Sequence, residues 1–128
     1  MFSKKERSSF PYWFAHWCSF NMTALNLKMW KPKYLFHDIE KPWLMLFWGD
    51  YKRVQKFHRE HNRHHLEYKG KRGFDFEAMV IDWECSRFTK AEAQATAREE
   101  TGRLMTKYPE YANMLKANIL PILNRKEL

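Results

Sequence analysis

Apolar residues occur along the chain in runs that are separated by Pro, Gly or residues that cap helices, and no run alternates apolar and polar residues convincingly. We also find no internal repeat. The predicted helices cover about residues 11–29, 34–39, 42–49, 50–68, 75–87, a segment that begins near 89, and 110–123. The pattern therefore predicts an all-α fold, a single-domain bundle of about six or seven helices.

Helix boundaries follow from the residues that satisfy the free backbone N–H groups of a first turn. Ser9 and Asp50 are predicted to cap the helices that follow them, and Thr89 with Glu92 matches a capping box. Pro121 is expected to bend or fray the last helix, because proline lacks a backbone N–H. Two glycines among cations mark residues 69–73 as a flexible loop.

The composition indicates a protein with a buried core and a preference for anionic partners. A chain of 128 residues with 45% apolar and 17% aromatic residues can bury a core without disulfides. The net charge of +8 is concentrated in residues 51–73, which hold eight basic and two acidic residues. Such a block favours an anionic partner such as a nucleotide, a phosphoester or nucleic acid, although a solvated basic helix face would look the same.

The cysteines and the apolar runs bear on the compartment. Cys18 and Cys85 are far apart and form no Cys-x-x-Cys pair, so no zinc finger or redox motif is predicted. The first residues are charged, and the aromatic stretch after them is interrupted by polar residues and proline. We expect neither a signal peptide nor a membrane span, and therefore a cytoplasmic protein.

Four polar residues in apolar surroundings are candidates for a metal site. His16 lies in a strongly aromatic helix, His37 and Asp38 are adjacent, and Asp82 interrupts the run Met79–Trp83 on the predicted buried face. A buried carboxylate needs a cation or a hydrogen-bonded partner. Imidazole and carboxylate ligands together suit Mn, Fe, Zn, Co or, less readily, Mg. The alternative for each residue taken alone is a structural role in the core.

Four further histidines lie in the basic segment: His58, His61, His64 and His65. If the helix continues to residue 68, then His58, His61 and His65 share one face and His64 lies at its edge. They are candidates to complete the first metal site or to build a second one. Alternatively, they join neighbouring arginines in a surface that binds phosphates.

Lys41 follows Asp38 by three residues, about one helical turn, and is placed to reach a phosphate held at the metal. The chain has no glycine-rich phosphate loop and no Gly-x-Ser-x-Gly elbow. These absences argue against nucleotide kinases and serine hydrolases.

The order His16, His37-Asp38, Asp82 resembles the HD superfamily of metal-dependent phosphohydrolases. The spacing His37-Asp-Ile-Glu-Lys41 is similar to that of its phosphodiesterase branch, and the segments 35–41, 62–68 and 81–83 are similar to a family of small HD-like proteins of bacteria and phages. The resemblance covers about residues 10–90. It implies an HD-like helical core there, with residues 1–9 as an N-terminal extension and 91–128 as C-terminal helices that pack on the core.

The resemblance also implies roles for individual residues. His16, His37, Asp38 and Asp82 would ligate a primary divalent metal. His58 and His64, with His65 as a substitute, would lie near a second metal or the substrate. Asp38 would also orient the attacking water, and Lys41 would bind a phosphate.

The first functional hypothesis is a metal-dependent phosphohydrolase, using one or two ions, that acts on a nucleotide or another small phosphoester. The second is a non-catalytic helical module that binds nucleic acid or protein through the basic, histidine-rich helix. A third is oxygen chemistry at a di-iron centre on the same scaffold.

Overall fold

The computed structural model describes residues 2–90 and 95–128, and this part of the chain is all-α, as predicted. Its α-helices, numbered in chain order, are α1 (Phe10–Asn26), α2 (Glu40–Trp48), α3 (Tyr51–His61), α4 (Phe76–Ser86), α5 (Ala97–Lys107), α6 (Ala112–Asn118) and α7 (Leu120–Arg125). Short 3-10 helices cover Lys4–Ser8, Pro32–Phe36 and Pro109–Tyr111. No helix in the described ranges is long and apolar enough to cross a membrane.

The core lies where α1 and α4 pack together; α5 and α7 also pack on α4, and α6 packs on α5 and α7. Phe20 and Ala24 of α1, and Met79 and Ile81 of α4, are fully buried. The side chains of Phe20, Met79 and Ile81 each contribute about 1.5–3 kcal/mol of transfer free energy. Because α1 and α4 carry His16 and Asp82, the packing that forms the core also brings these two polar residues together.

The first helix begins as predicted, since the Ser9 side chain accepts a hydrogen bond from the Tyr12 N–H. It ends at Asn26, three residues earlier than expected. Lys28 adopts a φ of 56° there, a left-handed conformation that ends a helix.

The predicted short helix over residues 34–39 is wrong. A 3-10 helix covers Pro32–Phe36 instead, and His37 and Asp38 follow it in irregular backbone. Asp38 has a φ of 56°, which is uncommon for a residue other than glycine. The turn it creates separates the 3-10 helix from α2 and directs both side chains inward, where they are buried.

The predicted helix over residues 50–68 is also wrong in its second half. Asp50 caps α3 as expected, but the helix ends at His61. Asn62 is extended, and its side-chain amide donates to the His58 carbonyl at 2.7 Å and to Glu40 Oε1 at 2.9 Å. This amide competes with the helical hydrogen bonds, so the chain leaves the helix before His64.

The C-terminal part differs from the prediction in its last helix. Glu92 of the expected Thr89–Glu92 capping box lies outside the described residues, and Thr96 and Glu99 form a capping box for α5. The single helix expected over residues 110–123 is wrong: α6 ends at Asn118, and Pro121 lies in the first turn of α7, where its missing N–H costs little.

Asp75 offers a test of the fold that does not involve the candidate site. One carboxylate oxygen accepts from the Ala78 N–H at 3.2 Å, which caps α4, and the other lies 2.6 Å from Lys33 Nζ. Burial alone would raise the pKa of Asp75, but Lys33 and the Ala78 N–H outweigh it and lower this pKa below the usual 3.8. The resulting stability is present above pH 3.8 and is lost as the pH falls through the lowered pKa.

We therefore expect Asp75→Asn to remove about 1 kcal/mol of stability at pH 7 and to flatten the acid limb of the stability profile. Urea unfolding between pH 2 and pH 7 measures both effects. Glu110→Gln, which changes an exposed carboxylate, should retain the wild-type profile. An unchanged acid limb in Asp75→Asn would contradict this assignment.

Candidate metal centre

Four predicted ligands from distant parts of the sequence converge at one point. His16 Nε2 lies 3.0 Å from Asp82 Oδ1 and 3.2 Å from His37 Nε2. Asp38 Oδ2 lies 3.3 Å from His37 Nε2 and 3.5 Å from His16 Nε2. Two imidazole nitrogens and two carboxylate oxygens therefore surround one small volume, the donor set expected for a divalent transition metal.

The aromatic side chains of α1 hold this group in place. Phe20 stacks on the His37 ring with centroids 3.6 Å apart and an interplanar angle of 13°. The Trp13 indole N–H donates to the Asp38 carbonyl at 2.8 Å. These contacts fix the turn that carries His37 and Asp38 against the helix that carries His16, so the aromatic sequence of α1 serves the site as well as the core.

A second group of imidazoles faces the other oxygen of Asp38. His58 Nε2 lies 3.0 Å and His64 Nε2 lies 3.3 Å from Asp38 Oδ1. His58, His64 and His65 each offer a nitrogen within 4.8 Å of the others. Asp38 thus stands between two ligand groups and directs one oxygen at each, an arrangement that suits a carboxylate shared by two cations.

The atoms that face this second group lack the partners that buried polar atoms normally have. Within residues 2–90 and 95–128, no hydrogen bond reaches Asp38 Oδ1 or the Nε2 atoms of His58, His64 and His65. They lie close together, but without the geometry of hydrogen bonds. Leaving such atoms unsatisfied in a protein interior is costly. The residues present therefore fit a cation, which would accept electron pairs from all of them.

The protonation states suit ligation at most of these positions. Burial lowers the pKa of His37 to about 4, and burial with the neighbouring His64 lowers the pKa of His65 well below its ordinary value, so both rings are neutral at pH 7. Burial alone would raise the pKa of Asp38 and Asp82. Surrounding histidines outweigh this effect and hold the pKa of both carboxyls well below the usual range.

His58 and His16 are the exceptions. Burial lowers the pKa of His58, but Asp38 and Glu40 outweigh burial and raise this pKa, and His16 is the stronger case. Burial opposes its charge, but Cys85 and the carboxylates of Asp38 and Asp82 outweigh burial and raise its pKa well above 6.5. In the absence of a cation, its imidazolium proton therefore supplies the positive charge between the carboxylates. A metal ligated by His16 has to displace this proton.

Two residues near the ligands were not predicted from the sequence. Glu40 Oε1 contacts His58 Nδ1 in a very short hydrogen bond, and also accepts from the Asn62 amide. A carboxylate on Nδ1 orients the ring and leaves Nε2 free to ligate. The Cys85 thiol lies 3.9 Å from His16 Nδ1, the ring nitrogen that does not face Asp38 and Asp82. The sequence gives no signal for either role, because both depend on contacts between separate helices.

His61 lines a cavity that also reaches His37, Asp38 and His64, but it belongs to neither ligand group. It is exposed, its Nδ1 bonds to the Phe57 carbonyl at 2.8 Å, and its ring stacks on Phe57. The predicted shared face of His58, His61 and His65 is therefore wrong, because α3 ends at His61 and His65 reaches the site from the irregular segment instead.

Lys41 lies beside the ligands, with Nζ 3.7 Å from Asp38 Oδ2. It lines a cavity of about 260 Å³ that reaches Asp38 and Asp82. Arg59 and Lys90 also line this cavity, together with the hydroxyl-bearing side chains of Tyr12 and Tyr51. Cations and hydroxyl groups around an open space beside two carboxylates are suited to hold an anion there.

Comparison of the chain with protein-family profiles, with curated proteins and with solved structures finds no match.

Proposed function

We propose that the protein is a metal-dependent phosphohydrolase that acts on a nucleotide or another small phosphoester and uses two divalent cations. The observation that carries the proposal is Asp38, whose two oxygens face two separate groups of buried histidine and aspartate ligands. The resemblance to the HD superfamily, which rests on the same residues, agrees with it.

The primary cation would be held by His16, His37, Asp82 and Asp38 Oδ2. The second would be held by Asp38 Oδ1, His58 and His64, with His65 as a further ligand. Mixed nitrogen and oxygen ligands favour Mn, Fe, Co or Zn over Mg. When bound, such ions lower the pKa of a water molecule towards neutrality and polarise a phosphoryl oxygen.

The remaining residues of the cavity would bind and orient the phosphate. Lys41 is nearest to the ligands, and Arg59 and Lys90 line the same space. Their charges offset that of a phosphate and of its leaving oxygen, which carries additional negative charge in the transition state. The Asp38 carboxylate, held ionised by its low pKa, would also orient the attacking water.

The test uses protein purified without a histidine tag, because a tag would itself bind metal. We expect elemental analysis to find up to two transition-metal ions per chain. We also expect manganese to stimulate phosphate release from at least one member of a panel of nucleotides and phosphoesters. Phosphate release that persists unchanged in excess chelator would contradict the proposal.

A di-iron oxygenase is the second candidate, and the position of Asp38 between two imidazole groups favours it as well. Iron content of two per chain and a visible absorption band from a bridged pair would support it. The remaining hypothesis, a non-catalytic module that binds nucleic acid or protein through the histidine-rich helix, has less support. His58 and His64 are buried beside Asp38 and do not form a solvated face.

Glu40 tests the second cation independently of activity. We expect Glu40→Gln to weaken binding of the second cation by about 10- to 100-fold while the primary cation is retained, because the amide no longer fixes the His58 ring. Equilibrium dialysis at limiting manganese measures the stoichiometry. Glu60→Gln, which changes an α3 carboxylate that pairs with Lys69 at the surface, should bind like wild type. Two equally tight ions in Glu40→Gln would contradict this role.

A further inference from the structure

The second helix is apolar, yet much of it is exposed. After Pro42, α2 contains six consecutive apolar residues, and none of its nine residues is buried. Trp43 is 61% exposed, Leu46 72% and Phe47 75%. A helix of this composition normally lies in a core. Here its apolar side faces outward.

The exposed surface of α2 continues onto α1. The Trp13 and Trp17 indoles donate to the carbonyls of Asp38 and Leu35, which joins α1 to the segment that precedes α2. Phe10 and Phe14, both more than half exposed, pack on these two indoles. We call the resulting surface the aromatic face. Its exposed members are Phe10, Phe14, Leu35, Phe36, Ile39, Trp43, Leu46 and Phe47.

This surface is concentrated in one part of the chain. Ten of the eleven large apolar side chains that are exposed in the described ranges lie between residues 10 and 47, and Phe88 is the other. Isolated exposed apolar residues are normal, but a contiguous group marks an interaction site.

Lysines outnumber acidic side chains in the segments that carry the aromatic face. Between residues 9 and 49 the acidic residues are Asp38, which is buried, and Glu40, which bonds to His58 and Asn62. The exposed charged residues in this range are Lys28, Lys31 and Lys33, of which Lys31 pairs with Glu77 and Lys33 with Asp75.

Further cations follow on α3, which packs against α2. Lys52, Arg53 and Lys56 are exposed, and the Arg53 guanidinium lies 4.2 Å from the Trp48 ring centre. Aromatic side chains bordered by lysine and arginine suit the interface of an anionic membrane, where rings enter the headgroup region and cations contact lipid phosphates.

We propose that the aromatic face docks the protein on an anionic lipid surface, with α2 lying in the plane of the interface. A second copy of the chain is a less suitable occupant, because each copy carries a net charge of +8 and the cations beside the face would oppose one another. The proposal concerns peripheral binding and does not rest on the proposed phosphohydrolase activity.

The experiment measures sedimentation of the full chain with vesicles. We expect binding to vesicles of phosphatidylcholine with about one third phosphatidylserine, much weaker binding to phosphatidylcholine alone, and a loss of binding as salt rises. The triple variant Trp43→Ser, Leu46→Ser, Phe47→Ser should reduce the partition coefficient by on the order of tenfold or more. Because these side chains are exposed, circular dichroism should show an unchanged helix content.

Phe88→Ser is the matched control, since Phe88 is 55% exposed but lies outside the aromatic face. It should bind vesicles like wild type. Equal binding by the triple variant and wild type would overturn the proposal, as would a lack of binding to anionic vesicles. If the protein does not bind anionic vesicles, analytical ultracentrifugation identifies the occupant of the aromatic face. A dimer that the triple variant abolishes would assign the face to self-association. A monomer would assign it to a different protein partner.

Discussion

Replacing Asp38 with Asn is expected to reduce metal-stimulated phosphate release by on the order of a thousandfold. Asp38 Oδ2 lies among the candidate ligands of the primary cation, and Oδ1 lies beside His58 and His64. An asparagine removes the negative charge and directs an amide N–H₂ at one of these two groups. A loss of about 4 kcal/mol of transition-state stabilisation corresponds to this factor, and a charge shared by two cations is expected to supply at least that much.

The measurement is a phosphate-release assay on whichever phosphoester the wild-type protein accepts, together with elemental analysis of the variant. We expect both the rate and the metal content to fall. His61→Asn is the control, because His61 lies on α3 close to the site in sequence, but its ring is exposed and bonds to and stacks on Phe57. It should retain activity within about twofold. Full activity in Asp38→Asn with normal metal content would rule out the assigned role.

The primary ligand group could be anticipated because its signal is local and chemical. His16 and Asp82 each interrupt a strongly apolar segment, and a polar residue in such a position needs a partner in the folded chain. His37 and Asp38 are adjacent, which places two ligand types together whatever the secondary structure. The prediction that these residues converge did not require correct helix boundaries, and indeed the predicted helix over residues 34–39 is wrong.

The second ligand group could be anticipated only in outline. A cluster of histidines is visible in the sequence, but the choice among them depends on where α3 ends. The helical wheel grouped His61 with His58, because nothing in the local pattern stops the helix before residue 68. The helix ends at His61 because Asn62 bonds to Glu40, a residue of another helix. That tertiary contact also directs His64 inward. The spacing of apolar residues does not indicate it, because it joins two separate parts of the chain.

The helix boundaries show the same difference between local signals and tertiary contacts. Capping residues gave correct starts for α1 and α3, where Ser9 and Asp50 accept backbone N–H groups. The predicted helix ends were less accurate. Lys28 ends α1 through a left-handed backbone conformation, and Asn62 ends α3 through side-chain hydrogen bonds, and the hydrophobic pattern indicates neither. The apolar helix α2 was predicted from its run of residues after Pro42, and the structure shows that much of it is exposed, although an apolar run of this length is typical of a core helix.

Removal of metal is expected to lower the midpoint of thermal unfolding by on the order of 10 °C. A ligand present at a thousandfold excess over its Kd adds about 4 kcal/mol to the stability of a protein that binds it only when folded. In a chain of 128 residues, each kcal/mol raises the midpoint by a few degrees. The physical origin is the group of buried Nε2 and Oδ1 atoms that have no hydrogen-bond partner in the described structure.

The size of this gain should depend on pH. The pKa of His16 is raised well above 6.5, so its proton stabilises the metal-free fold below pH 6.5, and this contribution is lost as the pH rises through the raised pKa. The same proton competes with the metal. Both effects make the gain larger at pH 8 than at pH 6. Scanning calorimetry with manganese or with chelator at pH 6, 7 and 8 measures it, and Asp38→Asn should show little gain at any pH. Midpoints that are equal with and without metal at all three values would show that these side chains do not bind a cation in the folded protein.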